Sequence, residues 1–171
     1  MSILNYGLFW RREQVEWHPG KGTGEGFRLI GRRGERKPGL RLADFREQSG
    51  IYILYGNYGV FYVGIVTSCR LGIRLREHHD NHDYSEWDRF SWFGFRRVLK
   101  RKDYDTGFDE LAEMPSVRLS NPVEGIQDLE SLLIRAMGPS GQRVETFTHE
   151  ERWEQVAEED VEYYQRLLGW E

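Results

Sequence analysis

The chain has 171 residues, 30% of them charged and 39% hydrophobic, with a net charge of -4. That length suits one domain with a buried core, and a mean hydropathy of -0.69 excludes a protein built mostly of membrane spans. The single cysteine, Cys69, excludes an internal disulfide and points to a reducing compartment. No basic stretch precedes an apolar run at the N-terminus, so a cytoplasmic protein with no membrane partner is expected.

Residues 1–48 carry ten Lys/Arg against six Asp/Glu and are rich in glycine. Phe9-Trp10 and Phe27 to Ile30 read as short strands, with a Gly-rich loop from Pro19 to Gly26 between them. This part is expected to be a small basic β-rich extension packed on the core. Residues 49–142 form the expected main domain. Residues 51–55 and 60–66 are β-branched and aromatic around Gly56-Asn57-Tyr58-Gly59, which predicts a hairpin. A helix is expected at about 70–80, with Leu71 and Leu75 on one face, then a strand at Phe90 to Phe95. A second helix is expected at about 124–137, ended by Gly138-Pro139. Residues 143–171 hold three Lys/Arg against nine Asp/Glu and predict an acidic helix at about 149–168. The order β-β-α-β-α-α predicts an α+β fold, a three-stranded antiparallel sheet flanked by helices.

Several residues could carry chemistry. Arg74 and His78 are four apart and share one helix face, which is also the ordinary arrangement of a solvated face. An arginine suits charge developing on phosphate, and a histidine can shuttle a proton. Tyr52 and Tyr62 lie in adjacent expected strands and read equally as cross-strand aromatics. Glu130 falls among Ile126, Leu129, Leu133 and Met137, an apolar stripe at helical spacing, so it is expected to face the core with a ligand that offsets its burial, the alternative being a boundary glutamate that snorkels or pairs with an arginine. His78, His79 and His82 with Asp80 and Asp83 invite a zinc reading, but neither a cysteine pair nor an HExxH string accompanies them. The run Arg96, Arg97, Lys100, Arg101 and Lys102 could grip a phosphate backbone or simply be a solvated strand end.

Taken in order, Gly50-Ile51-Tyr52, Tyr62-Val63-Gly64, Arg74, His78 and Glu130 resemble the motifs of the GIY-YIG endonuclease superfamily over about residues 50–142. The match includes Gly138-Pro139 after the glutamate helix, and Gln142 stands where the family usually has asparagine. The resemblance implies a nuclease hydrolysing phosphodiester bonds, more in DNA than in RNA. It implies one Mg²⁺ or Mn²⁺ on Glu130, a water activated by Tyr62 with His78 or Tyr52, and charge stabilisation by Arg74. The alternatives are a catalytically silent nucleic-acid-binding module, or an interaction domain acting through the acidic C-terminal helix. A shared site requires Tyr52 and Tyr62 on one face of the hairpin. That parity calls for pairing Tyr52 with Gly64 and Leu54 with Tyr62, through a three-residue loop Asn57-Tyr58-Gly59 or an equivalent bulge.

Overall fold

The computed structural model describes residues 3–17, 27–68, 70–82, 86–113, 122–137 and 150–170, with side chains in the helix at 122–137 described from Asp128 onward. The chain begins with β1 (Asn5–Arg11), a 3-10 turn (Arg12–Gln14), β2 (Ile30–Arg33) and β3 (Arg41–Asp44). The hairpin β4 (Gly50–Gly56) and β5 (Gly59–Val66) leads into α1 (Leu71–Asp80). Then come β6 (Trp87–Gly94), β7 (Val98–Lys102), β8 (Asp109–Leu111) and α2 (Pro122–Met137). The end of the chain supplies β9 (Glu151–Arg152), β10 (Glu154–Gln155), a second 3-10 turn (Glu158–Asp160) and α3 (Val161–Leu168).

These elements make an α+β fold with two mixed five-stranded sheets, ordered β5-β4-β6-β1-β9 and β10-β2-β3-β8-β7. The three expected strands are neighbours, β5-β4-β6, but they form only part of the first sheet. Residues 1–48 are therefore more than an extension packed on a core: β1 pairs antiparallel with β6, and β9 then pairs parallel with β1. The expected C-terminal helix is also shorter than its acidic composition predicts. Trp153 is fully buried, and a 3-10 turn precedes the helix, which begins only at Val161. Burying one indole outweighs the small helix propensity of the surrounding polar residues.

Between the sheets lies an aromatic core. Trp10 meets Trp92 edge-on at 5.4 Å, and Phe45 lies 4.3 Å from Trp92 and 5.2 Å from Trp153, between ring centroids. On the outer face of the first sheet, Leu132 and Ala136 of α2 pack with Ile53, Tyr55 and Phe93. On the second sheet, Val161 of α3 joins Ile30, Leu42, Phe108 and Val156. Helix α1 belongs to the inter-sheet core through Leu71 and Leu75. Its first turn is anchored where N–H groups would otherwise lack partners: Leu71 donates to the Gln48 carbonyl and Gly72 to the Arg46 carbonyl.

Candidate active site

The hairpin places the two tyrosines. Gly56 pairs with Gly59 across a two-residue turn, Asn57-Tyr58, so the expected three-residue loop is replaced by the tighter form. Gly59 takes φ 105°, which glycine adopts without strain. By itself that turn would put Tyr52 and Tyr62 on opposite faces. The pairing then shifts: Tyr55 pairs with Val60 and Leu54 with Tyr62, so Phe61 is an extra residue in β5. This bulge restores the parity, and Tyr52 pairs with Gly64. Both tyrosines face the inter-sheet core and α1. The Tyr52 ring fills the space beside Gly64. A Cβ on Gly64 would lie 2.2 Å from Tyr52 Cζ.

Around that ring the sequence-distant groups converge. The fully buried Tyr52 hydroxyl lies 2.8 Å from His78 Nε2. Tyr62 is half-buried, with its ring centroid 6.0 Å from that of Tyr52 and 4.6 Å from that of His78. Arg74, one helical turn before His78, is exposed and bonds Glu77 Oε2 at 2.6 Å. Burial foremost, then the neighbouring Tyr62, pushes the Tyr52 hydroxyl up to about 12, and Arg74 works against that rise. Burial first, then the Arg74 charge, lowers His78 below its ordinary 6.5, with Glu77 opposing. At neutral pH the pair is a neutral phenol and a neutral imidazole. In the tautomer that leaves Nε2 unprotonated, the Tyr52 hydroxyl donates to it. The arrangement can carry a proton from Tyr62 through Tyr52 to His78, and it offers a cation at the rim.

Glu77 was not singled out by sequence reasoning. Its signal was present, an acid three residues after Arg74 on the same helix face.

Glu130 is not brought to this cluster. Helix α2 covers the opposite face of the sheet, through Asp128, Leu132 and Ala136. Asp128 Oδ2 accepts the Ile3 N–H at 3.3 Å. Leu129, Leu133 and Met137 are exposed, and so is Glu130. The expectation of a core-facing glutamate is thus corrected: the helix packs on the stripe next to its most apolar one. Glu130 does not fit as a metal ligand for the tyrosine cluster, and among the described residues no group of three His, Cys, Asp or Glu could hold an ion. His79 faces away from the cluster, stacked on Trp17 at 4.3 Å and accepting from Arg12 Nε through Nδ1 at 3.0 Å.

The basic run divides. Arg96 is buried, and its guanidinium donates to the carbonyls of Ala112 at 2.6 Å and Glu47 at 2.5 Å, which makes it a clamp rather than a nucleic-acid ligand. Arg101 pairs with Glu110, and Lys102 with Asp109 at 2.8 Å. Arg97 and Lys100 are exposed and line a cavity of about 450 Å³ with Arg41 and Glu151. Cys69, Asp83, Gly138-Pro139 and Gln142 lie outside the described residues.

No family model, no curated protein and no solved structure matches this chain.

Proposed function

We propose that the cluster of Tyr52, Tyr62, Arg74 and His78 hydrolyses phosphodiester bonds, making the protein an endonuclease acting on DNA ahead of RNA. The observation that carries this reading is the hydroxyl–imidazole contact of 2.8 Å between Tyr52 and His78, beside Tyr62 and within reach of the Arg74 charge. The bulge at Phe61 supports it too, because it spends a ladder position to put both tyrosines on one face.

In the proposed reaction a water attacks the phosphorus in line with the leaving oxygen. Its proton passes to the Tyr62 oxygen as Tyr62 hands its own to Tyr52, and Tyr52 in turn delivers one to His78 Nε2. A concerted relay needs no free phenolate, which a hydroxyl pushed up to about 12 could not supply at neutral pH. His78 fits the acceptor role because its surroundings keep the ring neutral. Arg74 sits at the exposed rim, where it can meet the charge that builds on the phosphorane oxygens. Glu77 holds Arg74 by an ion pair that a phosphate can replace. Mg²⁺ or Mn²⁺ would supply further charge stabilisation, but Glu130, on the other face of the sheet, would not hold it at this cluster.

Nicking of supercoiled plasmid, in Mg²⁺, in Mn²⁺ and in EDTA, tests the reading. Cleavage lost in both Tyr62→Phe and Arg74→Ala, but kept in Glu130→Gln, is the expected pattern. Full activity in the Tyr62 and Arg74 variants would remove the cluster from the chemistry. The exposed, outward Glu130 favours one second reading, a module that binds nucleic acid through Arg97 and Lys100 without cutting it. Binding without cleavage in every metal would select it.

A further inference from the structure

The two sheets end in four edge strands, β5 and β9 in the first and β10 and β7 in the second. An edge presents unpaired N–H and C=O groups, and proteins blunt it by shortness or charge. Strands β9 and β10 have two residues each and carry Glu151, Arg152 and Glu154. Strand β7 carries Lys100, Arg101 and Lys102. Strand β5 has neither protection. It runs for eight residues, Gly59–Val66, with no charge and no proline, and among the described residues it pairs only with β4.

The side chains of this edge are as unusual as its backbone. Val60, Val63 and Ile65 pair with Tyr55, Ile53 and Ile51, so they share the outer face that α2 covers. The helix stops short of them, and they stay 49%, 57% and 69% exposed. Arg135 of α2 reaches Tyr6 on β1, so the opposite flank of the helix, with Leu129 and Leu133, looks toward β5. Leu129 and Leu133 are about half exposed, and Met137 more so. The result is an apolar step, with the edge strand as floor and the helix flank as wall.

We propose that this step is the interface for a second copy of the chain, formed by antiparallel pairing of β5 with β5 across a two-fold axis. A strand fits it, because among protein elements a strand pairs with the edge N–H and C=O groups along their whole length. An uncharged strand suits a copy of itself, since no like charges meet across the axis. Taking on the order of 150–200 Å² for each fully exposed apolar side chain, the step offers roughly 600 Å² of apolar surface per protomer. The paired backbones add to that, against the about 800 Å² per partner of a standard interface. Pairing joins two five-stranded sheets into one continuous sheet. It also sets two copies of Tyr62, on the other face of the same strand, near the same axis. The interface stands apart from the nuclease reading: molecular mass decides it whether or not the protein cuts nucleic acid.

Sedimentation equilibrium of the full chain, from sub-micromolar to high-micromolar concentration, is the test. A reversible shift from one to two chain masses is expected. Val63→Lys with Ile65→Lys places like charges at the axis and should weaken association by on the order of 100-fold, with circular dichroism unchanged and Tm equal to that of the wild-type chain at concentrations where the latter is monomeric. Val63→Thr with Ile65→Thr keeps the β-branched shape and should weaken it less, which provides a reading should the lysine variant not fold. A wild-type chain that stays monomeric throughout, or assembles without limit, overturns the proposal. Dimers that survive both double substitutions overturn it as well.

Discussion

At Gly64 one missing methyl group decides whether the Tyr52 ring can lie beneath the neighbouring strand. An added Cβ would sit 2.2 Å from Cζ and 2.3 Å from the hydroxyl oxygen. Gly64→Ala must push the ring off its contact with His78, and overpacking of this kind costs about 1–3 kcal/mol. Thermal unfolding should show that loss, and nicking activity should fall with it. Arg74 behaves differently because it is exposed and contributes little to stability. Arg74→Ala should leave DNA affinity nearly unchanged and lower turnover by about 10²–10³-fold, since its charge acts mainly in the transition state. Parallel loss of affinity and turnover would make Arg74 a binding residue instead. The lowered His78 gives a pH signature. A histidine kept neutral in the fold contributes stability that is complete above 6.5 and is lost as pH falls through its lowered value. Turnover should follow the same limb, flat at neutral pH and dropping below 6.5, because a protonated ring accepts no proton. His78→Gln should abolish that limb. Tyr52 acts at the other end. Stability tied to its neutral form is full below 10 and is lost as pH rises toward about 12.

Helix α2 shows how an element can carry the right periodicity and still present an unexpected face. Stripes 129-133-137 and 128-132-136 lie side by side on one helix, and both are compatible with 3.6-residue spacing. The sheet takes the second stripe because Asp128 bonds the Ile3 N–H and Tyr55 bonds the Ala136 carbonyl. Leu132→Ala should therefore cost about 2–5 kcal/mol, whereas Leu133→Ala should cost well under 1 kcal/mol at concentrations where the chain is monomeric, as exposed substitutions do. Denaturant midpoints decide this. Equal losses, or a reversed order, would restore the 129-133-137 stripe to the core and turn Glu130 toward the sheet. The hairpin illustrates the same principle at a turn. A bulge of one residue, Phe61, changes the facing of every residue before it relative to those after it.

In the whole molecule, the ends of the chain close what the middle begins. Trp153 is fully buried between the sheets, and its carbonyl accepts from Trp10 Nε1 at 3.3 Å. The β9–β10 segment around it reaches both sheets. Trp153→Ala should cost about 3–5 kcal/mol, as large-to-small core substitutions of tryptophan do. The loss should appear as one cooperative transition, because both sheets share this residue. Two separate transitions would mean that the sheets fold independently. Gln48 Nε2 donates to Asn5 Oδ1 at 2.8 Å and its Oε1 accepts from Arg96 N at 2.9 Å. These contacts tie β1 to the loops before β4 and after β6.

The sequence by itself determined the local elements whose signals are local. The β4–β5 hairpin, α1, α2 and the helix face shared by Arg74 and His78 were legible because alternation, 3.6-residue spacing and turn glycines act within a few residues. The α+β class followed from their order. Tertiary structure alone decided which strands complete each sheet, since β9 and β10 are too short to carry a period and find their partners more than a hundred residues away. It decided which stripe of α2 is buried, and hence that Glu130 faces outward. It also decided the burial that makes Tyr52 and His78 a neutral pair. Burial and desolvation are properties of the surroundings, and for Tyr52 those are Gly64, Tyr62 and a helix that begins nineteen residues later.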